Sequence, residues 1–560
     1  MKVNFLNTIL VFITFTANSQ DTPKTFTQAD TLRGTLTPER EWWDVLRYDI
    51  TVEPDFQSKT IKGSNKIRYK TLKDKHPLVM QIDLQEPLKI DSIILNNNKN
   101  LSFSRKGNAW FVNTENSALN SINEIAIYYQ GKPREAIRAP WDGGWTFTKD
   151  SLQRPWMTVT SQGLGASVWY PNKDHQSDEP NEGASLTMIV PNEMVGVANG
   201  RLQEKKSISD KKTSYTWAVE NPINNYNIVP YIGSYVNFSE KFLGLKGELD
   251  LDYWVLDYNL EKAKNYLPKE VHNTLNSFEY WFGPYPFYED GYKLIETEHL
   301  GMEHQSAVAY GNHYQPGYRG RDLSGTGWGL KWDFIVVHET GHEWFGNNIT
   351  TIDLADMYIH ESFTNYSETL FVESLFGKEA ANEYNYGIRG GIQNLQPIIP
   401  SSYGVNAQGS GDMYPKGGNM LHSIRHSINN DQIFRNILAG LNFTFYHQTV
   451  DGKEIQNYIS TKSGYDYSKV FEQYLTTTQI PELQLHFNKN TKEVSYKWEN
   501  VVDGFNLPIV MTNPEESIRI IPSNTWQQLK VTEAQRKLLE PSIIEKMYYV
   551  SVKNLQFLNN

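Results

Sequence analysis

Two histidines four residues apart, with a glutamate directly after the first, are the residues of this chain best suited to chemistry. They stand in the stretch VVHETGHEWFGNN as His338, Glu339 and His342. On a helix the two histidines lie one turn apart on one face, so both imidazoles can bind one metal ion. Glu339 then lies about 100° around the helix, where it can hold a metal-bound water without being forced to bind the metal. The spacing predicts a zinc site that carries its own general base.

The same spacing can also arise without a metal. With 13 histidines and 64 acidic residues in 560 positions, a chance match arises in roughly one or two such sequences per hundred. A helical histidine pair with ordinary hydrogen-bond partners is therefore the alternative interpretation. Gly341 favours the metal site, because glycine inside a helix costs about 1 kcal/mol relative to alanine. A purely structural helix has little reason to accept that cost unless close packing requires it.

A catalytic zinc site normally has three protein ligands, so the third must come from elsewhere in the chain. Glu361 follows His342 after eighteen intervening residues, in the segment DMYIHESFTNYSETLFVE, whose apolar residues recur at helical spacing. A second helix, packed antiparallel to the first, can direct Glu361 at the metal. Glu368 lies seven residues further on the same face, where it can hydrogen-bond a ligand histidine. A solvated helix carboxylate is the alternative for Glu368.

Taken together, His338, Glu339, His342 and Glu361 resemble the signature of the gluzincin aminopeptidases, the family of aminopeptidase N. LGMEHQSAVAYGN resembles the G-x-M-E-N exopeptidase motif of that family, and MYPKGG resembles its Y-x-K-G motif. SQGLGASVWYPNKDHQSDEP is similar to a loop of the family's β domain, and FEQYLTTTQIPEL to its lead-in to a C-terminal β-sandwich. The likeness covers roughly residues 45–490, and the motifs appear in the family's order.

The resemblance implies an aminopeptidase with one Zn²⁺ per chain, which acts on peptides that have a free N-terminus. Glu303 takes the place of the glutamate that binds the substrate's α-amine, and Gly301 and Met302 beside it are expected to contact substrate. Gln162 takes the place of a second amine-binding residue, and Tyr414 that of the tyrosine that steadies the oxyanion. For Glu303 the alternative is a surface charge on an edge strand, and for Tyr414 an ordinary core tyrosine.

The sequence also departs from the family pattern. Leu300 and His304 replace the first glycine and the asparagine of G-x-M-E-N, which changes the expected shape of the first side-chain pocket. Gln162 stands where many members have glutamate, so Glu303 would supply the only negative charge for amine recognition. The sequence ends soon after the β-sandwich, and we therefore expect a more open cleft than in relatives with a helical C-terminal domain.

The expected chemistry divides between the metal and two side chains. Zinc held by two imidazoles and a carboxylate would lower the pKa of its water toward 7. Glu339 would take the proton as general base and pass it to the departing amine, while Tyr414 stabilises the oxyanion. A zinc endopeptidase of the same clan and a non-catalytic peptide-binding protein are the alternatives. Cleavage of an N-blocked peptide would favour the endopeptidase.

Chain length predicts several domains, and the net charge argues against nucleic acid as a partner. The segment patterns, together with the resemblance, predict a multidomain α+β protein. A chain of 560 residues is too long for one core, and its net charge is -11 without any Lys/Arg-rich run. We predict a polar leader at 20–40, an N-terminal all-β domain at 41–256, a thermolysin-like and mainly α zinc catalytic domain at 257–475, and a small C-terminal β-sandwich at 476–560. Apolar spacing predicts a helix over 259–282, and Leu483 to Trp498 alternate as two strands.

The first 19 residues predict a signal peptide, with an apolar run NTILVFITF followed by small residues before Gln20. A membrane anchor is the alternative, although the run is shorter than the roughly 20 residues that span a bilayer. We therefore expect an exported protein, periplasmic or secreted, with no integral membrane segment after cleavage. The absence of cysteine excludes disulfides and zinc–thiolate sites. The cluster of Asp174, His175, Asp178 and Glu179 could bind calcium, but a turn with solvated acids is the preferred interpretation.

Overall fold

The computed structural model describes residues 25–488 and 490–555. The predicted signal peptide at 1–19 lies outside the described residues, as do the first residues of the polar leader. Within the described ranges, no helix is both long enough and apolar enough to cross a membrane.

The N-terminal part is built from strands. Among its described residues, from 25 onward, one regular α-helix is present, α1, which spans Gln28–Gly34. The strands are β1 (Trp43–Asp55), β2 (Thr60–Thr71), β3 (Val79–Asp83), β4 (Lys89–Leu95), β5 (Lys99–Asn100), β6 (Phe103–Lys106), β7 (Ala109–Asn113), β8 (Ile122–Gly131), β9 (Gly144–Lys149), β10 (Pro155–Thr160), β11 (Ala184–Pro191), β12 (Val195–Val197), β13 (Arg201–Ser209), β14 (Lys212–Val219), β15 (Tyr231–Gly233), β16 (Tyr235–Gly244) and β17 (Gly247–Leu256).

Three sheets enclose the N-terminal core. The largest has eight strands in the order β13-β14-β11-β1-β2-β8-β4-β5, and the others are β12-β15-β10-β9 and β3-β7-β6. In β1 the side chains of Tyr48, Ile50 and Val52 are buried, and they alternate with half-exposed neighbours. This period of two places one face of β1 in the core and the other toward solvent.

The catalytic part is mainly helical. Its helices are α2 (Leu260–Phe282), α3 (Phe334–Gly341), α4 (Tyr358–Phe376), α5 (Lys378–Gly387), α6 (Pro415–Ile428), α7 (Asp431–Thr444), α8 (Gly452–Ser463) and α9 (Ser468–Thr476). Its short strands are β18 (Tyr292–Glu296), β19 (Gly301–Met302), β20 (Val308–Tyr310), β21 (Ile349–Thr351) and β22 (Gln448–Val450). Helix α2 has nearly the bounds that the apolar spacing predicts, and Val271, Leu275 and Phe278 face the core.

The hairpin of β16 and β17 joins the two parts. It belongs to the five-stranded sheet β16-β17-β18-β20-β19 and packs Leu249, Leu251 and Tyr253 into the core of the catalytic part. The sequence had placed this hairpin in the N-terminal domain, whose exact limits stay a prediction. Strand β19 lies at the far edge of the same sheet, so the sheet carries the chain from the N-terminal part to the cleft.

The C-terminal part returns to strands. These are β23 (Glu482–Asn488), β24 (Glu493–Glu499), β25 (Ile509–Thr512), β26 (Ser517–Ile520), β27 (Gln527–Lys530) and β28 (Ser551–Asn554), with two short helices, α10 (Glu533–Leu538) and α11 (Pro541–Met547). Strands β23 and β24 pair Leu483 with Trp498 and Leu485 with Tyr496, as the alternation predicts. The sequence analysis did not anticipate the two helices. The order of a β-rich part, a mainly helical part and C-terminal strands confirms the predicted fold class.

Candidate metal centre and active site

Helix α3 positions the two histidines, and it is shorter than the sequence suggests. It begins after Asp333, whose carboxylate accepts hydrogen bonds from the backbone N–H of Ile335 and Val336 and so caps the helix. It ends at Gly341, and His342 still has helical dihedrals, φ −65° and ψ −19°. The helix cannot continue through the rest of the motif because Gly346 has φ +132°.

Gly341 allows α3 and α4 to pack closely. A Cβ at this position would lie 2.7 Å from Oγ of Ser367 and 3.1 Å from Cγ2 of Thr364, both on α4. Contacts this short would force the helices apart, so the close packing that the sequence analysis left open does explain the glycine. Because α4 begins at Tyr358, this packing carries Glu361, in its first turn, to the two histidines.

His338, His342 and Glu361 form one group of possible metal ligands. Nε2 of His342 lies 3.4 Å from Oε2 of Glu361, and Nε2 of His338 lies 4.0 Å from the same oxygen. One potential ligand atom from each residue falls within 4.8 Å of the others, and all three side chains are buried. The helix and spacing arguments therefore place the three predicted ligands together.

The remaining atoms of these residues test whether the group fits a zinc ion. Nδ1 of His338 is 2.8 Å from a carboxylate oxygen of Glu368, and Nδ1 of His342 is 3.0 Å from the carbonyl oxygen of Phe345. Both partners are acceptors, so each Nδ1 donates to its partner and each Nε2 is the ring nitrogen left for a metal ion. Oε2 of Glu361 is buried and has no hydrogen-bond partner. Two nitrogens and one unsatisfied carboxylate oxygen are a donor set that suits zinc.

Glu368 is not a solvated carboxylate. Its side chain is 1% exposed and accepts hydrogen bonds from His338, from the hydroxyl of Tyr384 at 2.6 Å and from the amide of Asn365 at 3.2 Å. The surface alternative is therefore wrong for this residue. A carboxylate held in this way fixes the ring orientation of a ligand histidine and raises its basicity.

Glu303 lies beside the same group and is buried rather than exposed on an edge. It follows β19, its side chain is 3% exposed, and it forms a second group within 4.8 Å together with Glu339 and His342. The amide of Gln162 donates a hydrogen bond to Oε1 of Glu303, and the hydroxyl of Tyr226 donates to the same oxygen at 3.1 Å. The two residues that the resemblance proposed for amine binding are thus in contact, although 141 positions separate them.

The burial of these acids shifts their titration. Burial raises the pKa of Glu339 to about 7; the imidazole of His338 opposes the rise, and the carboxylate of Glu303 adds to it. Burial likewise raises the pKa of Glu303, against the influence of His342. A general base works best with a pKa near the working pH, so the environment of Glu339 suits that role.

Tyr414 faces the metal-ligand group from helix α6. It is the residue before Pro415, the first residue of that helix, and its ring centroid lies 6.0 Å from that of His338. Burial and the charges of Glu361 and Glu303 keep its pKa well above the ordinary value. Its hydroxyl is consequently protonated at neutral pH and able to donate a hydrogen bond. Tyr414 lines the cleft, so it is not an ordinary core tyrosine.

All of these residues open on one cleft of about 1330 Å³. Gly301 and Met302 form part of its wall, together with Leu300. A Cβ on Gly301 would lie 2.7 Å from Oε1 of Glu339, so only glycine lets strand β19 approach the candidate base this closely. The cleft is also lined by residues from the polar leader, from the loop at 140–142 and from the loop at 396–409.

Several residues that support the site were not predicted from the sequence. The amide of Asn347 donates to the backbone carbonyl of Glu303 at 2.9 Å, which connects the segment after the histidine motif to Glu303. Asp333 stands before an apolar run, and this capping pattern could have identified it. Tyr226 and Tyr384 carried no such signal, because they reach the site only through the tertiary fold.

The acidic cluster around Asp174 is buried, whereas the sequence predicted a solvated turn. Asp174, His175 and Asp178 are 5%, 7% and 5% exposed. The hydroxyl of Tyr48 donates to Asp178 at 2.7 Å, and the ammonium of Lys173 lies 3.7 Å from that carboxylate. The preferred interpretation of a solvated turn is therefore wrong, because basic and hydroxyl side chains surround the buried acids.

Comparison with known proteins agrees with this geometry. Residues 330–474, which include the histidine motif, Glu361 and Tyr414, match the peptidase family M1 domain. Over these residues the chain is similar to peptidase family M1. This match, together with the relatives below, confirms the resemblance to the gluzincin aminopeptidases.

The sequence relatives of this chain are distant. It is 26% identical to aminopeptidase N of Lactobacillus helveticus over 240 residues, which cover 39% of the chain and 28% of the relative. It is 20% identical to a probable aminopeptidase 2 of Sulfurisphaera tokodaii over 465 residues, or 79% of the chain and 54% of the relative. The chain thus spans between about a quarter and about a half of these relatives' lengths.

Solved M1 structures share the fold. The M1 zinc metallopeptidase of Deinococcus radiodurans superposes with a TM-score of 0.65 at 17% identity, over 79% of this chain and 95% of that one. Aminopeptidase A of Legionella pneumophila, solved with aspartic acid, gives a TM-score of 0.72 at 17% identity, over 91% of this chain and 60% of its own. At this identity the likeness establishes the arrangement of the chain and leaves the activity to be argued from the site.

Proposed function

We propose that this chain is a zinc aminopeptidase, which hydrolyses the N-terminal bond of peptides. His338, His342 and Glu361 would hold the ion, since their free Nε2 atoms and the unpartnered oxygen of Glu361 converge. The named relatives include aminopeptidases, which supports the same reaction class.

The observation that carries the proposal is the carboxylate of Glu303. It is buried within 4.8 Å of a ligand atom of His342, and its described partners are hydrogen-bond donors without a formal charge, Gln162 and Tyr226. A free α-ammonium of a substrate would supply the missing positive charge. A blocked N-terminus would leave the carboxylate buried and unpaired, and this penalty favours chain ends over internal bonds.

The reaction divides its tasks among the side chains of the cleft. A bound zinc ion would supply a Lewis acid that polarises the scissile carbonyl and activates water. Glu339 would accept the proton of the attacking water and then deliver it to the departing amine nitrogen. The hydroxyl of Tyr414, which stays protonated, would donate a hydrogen bond to the developing oxyanion. Glu303 and Gln162 would hold the α-amine.

The first experiment is hydrolysis of a panel of amino-acid p-nitroanilides, each paired with its N-acetylated form. We expect cleavage of the free-amine set alone, lost with a zinc chelator and restored by zinc. Equal cleavage of both forms would contradict the proposal and favour an endopeptidase. Failure to cleave either form or an unblocked peptide library, with one zinc per chain, would leave a non-catalytic peptide-binding protein.

The Glu303→Gln variant tests the amine-binding role directly. It should lower kcat/KM for free-amine substrates by about 10²-fold, because a charge-assisted hydrogen bond is lost. Glu296→Gln is the matched control, since Glu296 is also buried in the same sheet but accepts from the backbone of Leu256 and the amide of Asn259. An equal loss in both variants would contradict a specific role for Glu303.

We also propose that the protein is exported. The support is the N-terminal pattern of an apolar run followed by small residues, in a chain without cysteine. N-terminal sequencing of the protein recovered from its native cells should begin near Gln20, in the periplasmic or extracellular fraction. A native N-terminus at Met1 in a cytoplasmic fraction would overturn this proposal.

A further inference from the structure

Residues 25–40 of the polar leader, which we name the leader strap, lie across the edge of the cleft. Arg33 of the strap donates through Nη2 to the carbonyl oxygen of Gly163 at 3.1 Å. Oγ1 of Thr35 donates to the carbonyl of Gly404 at 2.7 Å. The strap therefore touches two cleft-lining segments that belong to different parts of the molecule, the loop at 161–165 and the loop at 396–409.

Two glycines allow the strap to sit this closely. A Cβ on Gly165 would lie 2.0 Å from Nη2 of Arg33, and a Cβ on Gly34 would lie 2.3 Å from the backbone nitrogen of Asn406. Neither position can accept a larger residue without moving the strap or its neighbour. Because Gly165 and Gly34 have no side chain, the strap can pack closely against both loops.

Buried polar contacts hold the strap in place. Arg40 pairs with Asp83 inside the N-terminal core, and its Nη1 donates to the backbone carbonyls of Arg33 and Thr35 at 2.9 and 3.2 Å. The amide of Gln81 donates to the carbonyl of Leu32 at 2.9 Å. The strap is thus fixed to the N-terminal core at several points.

The strap contacts the loop next to Gln162, one of the two proposed amine-binding residues. Gly163, which accepts from Arg33, directly follows Gln162, whose amide contacts Glu303. The loop at 161–165 is half-exposed at 162–164 and carries positive φ at Gly163 and Gly165, so its conformation depends on what packs against it. Asn406 donates to the same carbonyl of Gly163 at 3.4 Å. The strap and the loop at 396–409 therefore both contact Gly163, the residue that follows Gln162.

We propose that the leader strap holds the amine-binding loop in place, and that Arg33 is a positioning residue for Gln162. The inference rests on the proposed aminopeptidase function and deepens it. Without the contact from Arg33, Gln162 and Glu303 would hold the substrate's α-amine less firmly, while the metal ligands and Glu339 stay in place. The loss then falls on KM and on the preference for a free amine, with little change in kcat.

The test compares three substitutions in the full-length protein. Arg33→Ala removes the contact to Gly163, Arg33→Lys keeps the charge near Asp174, and Gly34→Ala pushes the strap from the loop at 396–409 without removing a polar group. Arg154→Ala is the matched control, because Arg154 is a similarly half-buried arginine that pairs with Asp150 and Asp257 outside the cleft lining. Zinc content and the thermal midpoint are measured for each.

For Arg33→Ala and Gly34→Ala we expect KM for free-amine p-nitroanilides to rise about fivefold to tenfold, with kcat within about twofold and zinc unchanged. The ratio of free-amine to N-acetylated cleavage should fall. Arg33→Lys should recover part of the loss, and Arg154→Ala should match the wild type. Unchanged KM in both strap variants would overturn the proposal, as would an equal change in the control. If the wild type itself cleaves no free-amine substrate, the proposed function fails instead.

Discussion

The chain buries two groups of ionisable side chains, and the groups differ in how their negative charge is balanced. The catalytic cluster consists of His338, His342, Glu303, Glu339 and Glu361. The arginine cluster consists of Arg33, Arg40, Lys173, Asp83, Asp174 and Asp178. In the arginine cluster each carboxylate has a lysine or arginine partner, whereas among the described residues no lysine or arginine pairs with an acid of the catalytic cluster.

This difference indicates which buried acids need a ligand to balance their negative charge. Burying an unpaired carboxylate costs several kcal/mol, so such an acid takes up a proton, is held by several hydrogen-bond donors or gains a counter-charge. The arginine cluster carries its counter-charges within the chain and needs no ligand to balance its charge. The catalytic cluster contains imidazoles as its only basic side chains. Because Oε2 of Glu361 has no hydrogen-bond partner, we infer that a metal ion and the substrate's ammonium balance the remaining negative charge.

Removing the metal should separate the two clusters most sharply. Dialysis against a zinc chelator should abolish hydrolysis of every free-amine p-nitroanilide, and stoichiometric zinc should restore it. The arginine cluster needs no ion, so far-UV circular dichroism should keep the strand signal of the N-terminal part. Full activity in metal-free protein, checked by elemental analysis, would remove the proposed metal centre.

Replacing the proposed base should remove most of the activity without releasing the zinc ion. Glu339→Gln keeps the shape of the side chain but cannot accept a proton, so kcat should fall by about 10²–10⁴-fold. Zinc content should stay at one per chain, because Glu339 is not among the three proposed ligands. A variant with wild-type kcat would show that another group takes the proton.

Breaking the buried pair of Arg40 and Asp83 should mainly lower stability and leave the proposed metal ligands in place. Arg40→Met leaves Asp83 buried without its partner, and such a change costs about 3–5 kcal/mol. Lys99→Met is the control, because Lys99 and Glu115 form an exposed pair worth about 1 kcal/mol or less. Thermal unfolding should show a large decrease for the first variant alone, with zinc retained. Similar midpoints for both would mean that the buried pair adds no stability.

A weaker change in the catalytic cluster tests the support behind the metal ligands. Glu368→Gln removes the carboxylate that accepts from Nδ1 of His338, so zinc affinity should fall by about 10–100-fold. Competition with a fluorescent zinc chelator measures this affinity. Glu373→Gln on the same helix is the control, since Glu373 pairs with Arg425 instead. Equal affinities in all three proteins would make Glu368 a packing residue.

The smallest expected effect is a pH dependence in the arginine cluster. Burial raises the pKa of Asp178 from 3.8 to about 6, although Lys173 opposes the rise. Because the folded pKa exceeds the unfolded one, the stabilising contribution is present below pH 4 and is lost as the pH rises through about 6. Asp178→Asn lacks this titration. The thermal midpoint of the wild type minus that of the variant should therefore decrease from pH 4 to pH 7, and an increase would show that the ion pair with Lys173 dominates.

Local sequence patterns anticipated elements of the helical part and of the C-terminal part. The helix at Leu260–Phe282 and the antiparallel pair of β23 and β24 follow from apolar periods of 3.6 and 2, which act between neighbours in the chain. The three proposed ligands follow from a four-residue helical spacing and from one further helix. Even here the sequence overextended the motif helix, because the positive φ of Gly346 appears only in the folded turn.

The sequence by itself determined the metal-ligand group, because its members lie within 24 positions on two adjacent helices. The contact between the two proposed amine-binding residues depends on the tertiary structure. Gln162 meets Glu303 across 141 positions, and Thr35 of the leader strap meets Gly404 across 369. The tertiary structure also turned the acids near Asp174 from an expected surface turn into a buried network with Arg33 and Lys173. Contacts between distant segments depend on how whole sheets and loops pack, and no local period or spacing records that packing.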